Sequence, residues 1–429
     1  MSVELIPKGP SEIRHNNRGA LLGELLRHGS ASRTQLASRT GLTATAITRI
    51  SRELIDLGLL HETDMQERDG QPGRRGVSLD FRAEGAFVIG VGIHASDHSV
   101  SLANLRGEVV QTVQIPVELH RDSVRTFGFV RDTVDEMLTQ CESKNRAVLG
   151  IAVAIAGVVD NTKRTIKSMP QQGWEQVRLD PFFQHTGLPL VVENVNNTLN
   201  LAEWRFGVSR HCDNVLMMRV SAYVGASAIA NGRLMRGSRS GAMMIGHMRA
   251  TGLVSDRAAN ERRRCTCGRL GCVNTVFSGQ AIVCEADNKP WDAVLAADVG
   301  RNTARLEEIL RAADAGDERI RAILCNAGTE AGTTLAELAR IQDPDFIVIG
   351  GHVGQCKTFI DGIKTALTDA GTSHMDGEMP AVVISSMTVS QATVYMALDQ
   401  FAFSARLNIR ALEQANRLNA DSSNKLVPR

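Results

Sequence analysis

Residues 32–60 read SRTQLASRTGLTATAITRISRELIDLGLL, and this run decides the fold of the N-terminal block. Ser32 with Gln35 three places on is the pattern of a capping box, so a short helix starts there. Gly41 ends it. Thr43 then caps a longer helix running to about residue 57, with Gly58 just past its end. The apolar face of this helix is Ile47, Ile50, Leu54 and Leu57, and its other face shows Thr45, Thr48, Arg49 and Arg52. Upstream, Leu21, Leu22, Leu25 and Leu26 repeat at helical spacing until Gly29. Downstream, extended pieces near residues 59–62 and 76–81 flank a polar loop ending in Gln71-Pro72-Gly73-Arg74-Arg75-Gly76. Three helices followed by an extended pair predict a winged helix-turn-helix.

Charge supports that reading. The whole chain carries 48 Lys+Arg against 47 Asp+Glu, a net charge of +1, so nothing global draws it to nucleic acid or membrane. Residues 12–52 nevertheless hold seven arginines and two glutamates, a local charge of +5. A basic face inside a neutral protein is the electrostatic footprint of a DNA reader. The start of the recognition helix meets base edges in this mode, which points to Thr43, Ala44, Thr45, Thr48 and Arg49. Thr and Ala can touch thymine methyls, and Arg can pair with guanine. Arg33 and Arg52 complete the candidate DNA-facing set, and Arg74 and Arg75 suit a minor groove. One winged helix reads only a few base pairs, so a homodimer or tetramer on a double-stranded operator of two half-sites is expected. A small helical dimerisation arm with a solvated basic face is the competing reading.

The chain has 429 residues, too long for one ordinary domain. No apolar run reaches the ~18 residues of a membrane helix, and the N-terminus lacks a signal-peptide core. The protein reads as cytoplasmic, with its eight cysteines reduced unless they hold a metal. The final LVPR reads as a protease-tag remnant. After residue 83, apolar runs such as FVIGVGI, AVLGIAVAIAGVV and PLVVEN alternate with helical segments, the pattern of α/β architecture. From residue 215, NVLMMRVSAYVGASAIANG reads as a hairpin, and a mostly helical stretch occupies about residues 278–342 before the strand DFIVIGG.

Between hairpin and helices stands RCTCGRLGC, which places Cys265, Cys267 and Cys272 within eight residues. Gly268 and Gly271 let the backbone close tightly. Three soft thiolates need one more ligand for a tetrahedral zinc site, and His247, 18 residues upstream, is the best candidate. A Cys₃His set has no open position, so the Zn2+ would be structural. Arg262, Arg263, Arg264 and Arg269 would offset its negative charge.

A winged helix followed by Cys-x-Cys-Gly-x-x-Gly-Cys, with Gly246-His247 upstream, resembles the ROK family of repressors and sugar kinases over about residues 12–405. The resemblance implies an actin-like ATPase fold, sugar-kinase-like, with two α/β lobes around a cleft. The expected division is 1–82 winged helix, 83–205 first lobe, 206–405 second lobe with the zinc loop, and 406–429 C-terminal helix and remnant. The family's kinases lack the DNA-binding block, which puts this chain on the repressor side. Gly92 stands where the kinases carry the Asp of their first phosphate loop, and only Gly225 survives of the second, with Tyr223 and Val224 intruding. The kinases' base is an Asp after Glu-Asn, and Val195 follows Glu193-Asn194 here; it cannot accept a proton. The resemblance therefore implies a dead kinase site, no enzyme, and Glu193, Asn194 and His247 as residues around a small sugar or sugar-derived effector. Met244 and Asn274 replace two carboxylates of the sugar pocket, so the pocket binds a less hydroxylated or modified ligand, an ordinary sugar held by other residues, or nothing. An ATP-dependent sugar kinase with a fused DNA reader, or a regulator controlled by a partner protein, remain as alternatives.

Overall fold

Local rules build the N-terminal unit. Helix α1 (Pro10–His28) leads into a two-residue strand β1 (Ala31–Ser32) and then helix α2 (Arg33–Thr40). The Ser32 hydroxyl accepts from the Gln35 N–H while the Gln35 side chain accepts from the Ser32 N–H, so the predicted capping box forms. Gly41 turns the chain at φ +69°, a conformation that favours glycine. Thr43 then caps helix α3 (Ala44–Asp56) by accepting from the Ala46 N–H. Strands β2 (Leu60–Asp64) and β3 (Val77–Phe81) pair antiparallel, and β1 joins β3 on its other side. The sequence did not show β1, because two residues carry no periodicity.

The structure, a computed structural model, describes residues 10–64, 77–94, 98–210, 212–250, 263–371, 380–403 and 407–424. Arg74, Arg75, Arg262 and the LVPR end lie outside the described residues.

Two five-stranded sheets follow, with the same topology. The first comprises β4 (Phe87–Ile93), β5 (His98–Asn104), β6 (Val109–Gln114), β7 (Val148–Ile155) and, later, β11 (Leu190–Asn194). Its order is β11-β7-β4-β5-β6, with β4 parallel to β7 and antiparallel to β5. Strands β8 (Val158–Asp160), β9 (Thr165–Met169) and β10 (Trp174–Arg178) make a small antiparallel sheet that the sequence reading missed. The second large sheet comprises β12 (Val215–Val220), β13 (Val224–Ala230), β14 (Arg233–Leu234), β15 (Phe346–Gly350) and β16 (Ala381–Ile384) in the order β14-β13-β12-β15-β16. Strands β4 and β7 are buried along their whole length, which is why they read as unbroken apolar runs. The repeated topology leaves no trace as a sequence repeat.

Helices cover these sheets. The first lobe carries α4 (Ser123–Ser143), α5 (Asp180–Phe183) and α6 (Val195–Phe206). The second carries α7 (Gly279–Asp287), α8 (Trp291–Ala296), α9 (Val299–Asp314), α10 (Glu318–Gln342) and α11 (Lys357–Gly371). The chain then crosses back, and α12 (Val389–Ala397) packs on the first-lobe strands and on α6. Ala154, Val195, Leu199, Met217, Val348, Val389 and Ala392 form an apolar core between the two sheets. From α12 a π-helical turn, Leu398–Ala402, reaches the DNA-binding unit, and the last helix α13 (Ile409–Asn424) caps it, with Asn416 donating to the Leu57 carbonyl at 3.0 Å. Leu22, Leu54 and Phe81 of that unit share one continuous core with Val88 and Leu149 of the first lobe and with Phe401 and Leu412. The winged helix is thus packed onto the first lobe.

Candidate functional site

The amphipathic pattern of α3 sorts its side chains as expected. Ile47, Ile50 and Leu54 are buried, while Thr43, Ala44, Thr45, Thr48, Arg49 and Arg52 are exposed along one side. The Thr48 hydroxyl donates to the Ala44 carbonyl at 2.9 Å. Arg33 departs from the expected set. Its guanidinium donates to Ser51 at 3.2 Å and to Glu62 at 2.7 Å, tying α2 to α3 and β2, so it serves the unit's own packing.

The cysteine loop brings its four expected residues together. The candidate ligand atoms of His247, Cys265, Cys267 and Cys272 all lie within 4.8 Å of one another. Tetrahedral zinc with bonds of about 2.3 Å to sulfur and about 2.0 Å to nitrogen requires S···S edges near ~3.8 Å and S···N edges near ~3.6 Å. Cys267 Sγ to Cys272 Sγ is 3.7 Å, and Cys265 Sγ to His247 Nδ1 is 3.5 Å. The donor set therefore fits zinc. Burial and the charge of Cys265 push the Cys272 thiol up to about 12, because three thiols cannot ionise side by side without a cation among them. Burial opposes ionisation of Cys267 as well, but hydrogen bonds from Arg269 outweigh it and hold that thiol below its ordinary value. Among the expected arginines that are described, Arg269 stands against the thiols. Arg263 donates to Thr275 and pairs with Glu285, and Arg264 donates to the Gly268 carbonyl.

Beside this loop, between the lobes, lies a cavity of about 410 Å³. Asn194, Asn196, Arg219, Tyr223, Met244 and His247 are among its lining residues. Asn194 and His247 thus meet at one cavity, but Asn194 is largely committed within the protein. It caps α6, accepting from the Asn196 N–H at 2.8 Å, and donates to the Gly157 carbonyl at 2.8 Å. Glu193 does not line the cavity: its carboxylate accepts from Arg236, from Asn197 and from the Asn194 N–H. It holds the β11–α6 junction, a correction to its expected place beside the effector. Asn274, also at the wall, accepts from the Val224 N–H at 2.7 Å.

The positions that the resemblance sets against the kinases' phosphate loops are packed as follows. Val195 is buried in the core between the sheets. A Cβ at Gly92 would meet the Val389 side chain at 3.4 Å. Gly225, the glycine that the resemblance sets in the second loop, lines the cavity with the Asn196 side chain beside it. A Cβ built on it would lie 2.1 Å from Asn196 Nδ2, so the Asn196 amide occupies the space over that backbone. A phosphate cradle needs close approach to the backbone, and an approach to Gly225 from its Cβ side would have to displace the Asn196 amide. The sequence reading had singled out Gly225 and overlooked Asn196; only the packing of α6 on β13 brings the two together.

Comparison with known proteins agrees with these observations. The ROK family profile matches residues 88–395, and a winged helix-turn-helix DNA-binding profile matches residues 14–60. The chain is 26% identical over 375 residues to the DNA-binding transcriptional dual regulator NagC of Escherichia coli K12, covering 86% of this chain and 89% of that one. It is 24% identical over 387 residues to the transcriptional repressor Mlc of the same organism, covering 88% and 92%. The xylose repressor of Bacillus spizizenii is 22% identical over 342 residues, covering 80% and 83%. Among solved structures, a ROK family transcriptional regulator homologous to E. coli Mlc superposes with a TM-score of 0.69 at 26% identity, over 94% of this chain and 100% of that chain. A ROK glucokinase of Streptomyces griseus shares the fold at a TM-score of 0.57 and 24% identity, over 73% and 98%.

Proposed function

The chain belongs to the ROK family, and we propose that it is a DNA-binding transcriptional repressor of carbohydrate-related genes whose cleft senses a sugar-like effector. The observation that carries this reading is one packed connection: an exposed Thr/Arg face on α3, joined through a single core to the first lobe, beside a cleft in which Asn196 stands next to Gly225. A cleft with Val195 in place of an acidic base and Asn196 against that glycine is suited to binding and not to phosphate transfer. NagC, Mlc and the xylose repressor are regulators by name, and the last is named for a sugar, which supports a sugar-responsive role here.

In this reading two chains place their α3 helices on two half-sites of an operator, and the effector shifts the relative angle of the lobes. The path is short. Helix α12 lies against the first sheet and α6 with Val389 and Ala392 in the core between the sheets, its continuation Leu398–Ala402 ends at Phe403, and the Phe403 carbonyl abuts Gly19 of α1. A ligand that favours one lobe angle over the other biases the DNA-reading unit by its difference in affinity for the two states. His247, Cys265, Cys267 and Cys272 would hold a structural zinc that fixes the cleft wall, with His247 Nδ1 toward the metal.

The test is fluorescence anisotropy of the full-length protein on DNA from its own upstream region, titrated with sugars and their derivatives. Salt-sensitive binding that a sugar releases is expected. Absence of binding, or binding that no sugar alters, would overturn the corresponding half of the proposal.

A further inference from the structure

One cation in the cleft has no counter-charge among the described residues. Arg219 lies on β12 and is paired across the sheet with Gly225 on one side and Gly350 on the other. Residues directly opposite on neighbouring strands project to the same face. On that face Gly225 looks at Asn196, in the first turn of α6. The Arg219 side chain therefore leaves the sheet toward the start of α6, with Asn196 beside Gly225 on one flank and Met217 and Ser385 beside Gly350 on the other. It lines the cavity, and among the described residues no hydrogen bond or ion pair engages its guanidinium.

The acids that flank this region are engaged elsewhere. Glu193 holds Arg236 and Asn197, and Glu203 accepts from Ser385 and from the Val208 N–H. Burial alone draws the Arg219 guanidinium down to about 10, with no carboxylate acting against it. An unmatched, partly buried arginine is costly to the folded protein, because desolvation is not repaid by a partner. The α6 N-terminus adds positive potential at the same place instead of relieving it. Both features favour an anion that arrives from outside.

We propose that the cleft takes an anionic sugar derivative, a sugar phosphate or sugar acid, whose charged group sits on Arg219 at the start of α6. This rests on the reading of the cleft as the effector site and specifies which chemistry that site selects. The planar guanidinium matches two oxygens of a phosphate or carboxylate at once. The uncharged part of the ligand then extends toward Met244 and His247.

The experiment is calorimetric titration of the full-length protein with matched ligands: glucose, glucose 6-phosphate and glucuronate, and N-acetylglucosamine with its 6-phosphate, with inorganic phosphate alone as a further probe. At least one anionic member should bind ~10-fold or more tightly than its neutral partner, a difference typical of a charge-assisted pair. Preference for the phosphate or for the carboxylate member identifies the anion. R219M should bring that ligand down to the affinity of its neutral partner, and R219K should retain part of the preference. The melting temperature of ligand-free R219M should equal or exceed that of the wild type, since an unmatched charge has been removed. Neutral sugars binding as tightly as their anionic partners would overturn this inference and leave the effector reading standing. An anion preference that persists in R219M, or a ligand-free R219M that melts below the wild type, would also overturn it. If none of the sugars binds, charged or neutral, the effector reading itself fails.

Discussion

Replacing Gly19 with alanine tests how the DNA-reading unit is joined to the rest of the molecule. In a helix interior this change ordinarily stabilises by about 1 kcal/mol, since glycine loses more backbone freedom on folding. At Gly19 the new Cβ would lie 2.1 Å from the Phe403 carbonyl oxygen and 3.3 Å from its carbon, where ordinary contact begins near 3.4 Å. The obstacle is backbone and cannot rotate away. Phe403 closes the π-helical turn and is itself buried in the core shared by the winged helix and first lobe. Helix α1 must therefore move by about an ångström, and overpacking of this kind costs typically ~1–3 kcal/mol. The net expectation for Gly19→Ala is a loss of about 1–2 kcal/mol. Gly128, inside α4, provides the control: a Cβ there meets nothing within 4 Å, so Gly128→Ala should gain ~0.5–1 kcal/mol. The same chemical change thus takes opposite signs. Urea unfolding followed by far-ultraviolet circular dichroism measures both, and anisotropy on the operator shows whether Gly19→Ala weakens the effector response. A Gly19→Ala protein as stable as the wild type would refute the close docking of α1 on the Phe403 carbonyl.

Three further outcomes follow from the site. Metal analysis should give about one zinc per chain, and Cys265→Ser or Cys272→Ser should lose it and lower the melting temperature, because metal binding contributes folding free energy; unchanged melting would refute the site. A coupled assay with ATP and common hexoses should read background for the wild type and for Val195→Asp, since Asn196 still stands beside Gly225; turnover in Val195→Asp would show that the loop is open. Arg49→Ala should weaken operator binding by ~1–3 kcal/mol with little effect on stability, whereas Arg33→Ala should act on stability through its lost contacts to Ser51 and Glu62; equal losses of DNA affinity would return Arg33 to the DNA-facing set.

Much of this protein was legible before its structure. Short-range rules determined the winged helix: the Ser32–Gln35 box, the turn at Gly41, the Thr43 cap and the Ile47/Ile50/Leu54 stripe are interactions between residues at most four apart or repeats of one helix face. The cysteine loop was legible for a similar reason, because three of its four candidate metal ligands fall within eight residues and their chemistry admits few uses. Tertiary structure decided the rest. That Arg33 serves packing depends on Glu62, 29 residues away. That Glu193 is withdrawn from the cleft depends on Arg236, 43 residues on, and the neighbour of Gly225 in the cleft is Asn196 on another element. The duplicated sheet order, the return of α12 to the first lobe and the isolation of Arg219 likewise arise only when distant strands pair. A side chain's partners follow from which segments meet in space, and no local pattern of helix or strand records that meeting.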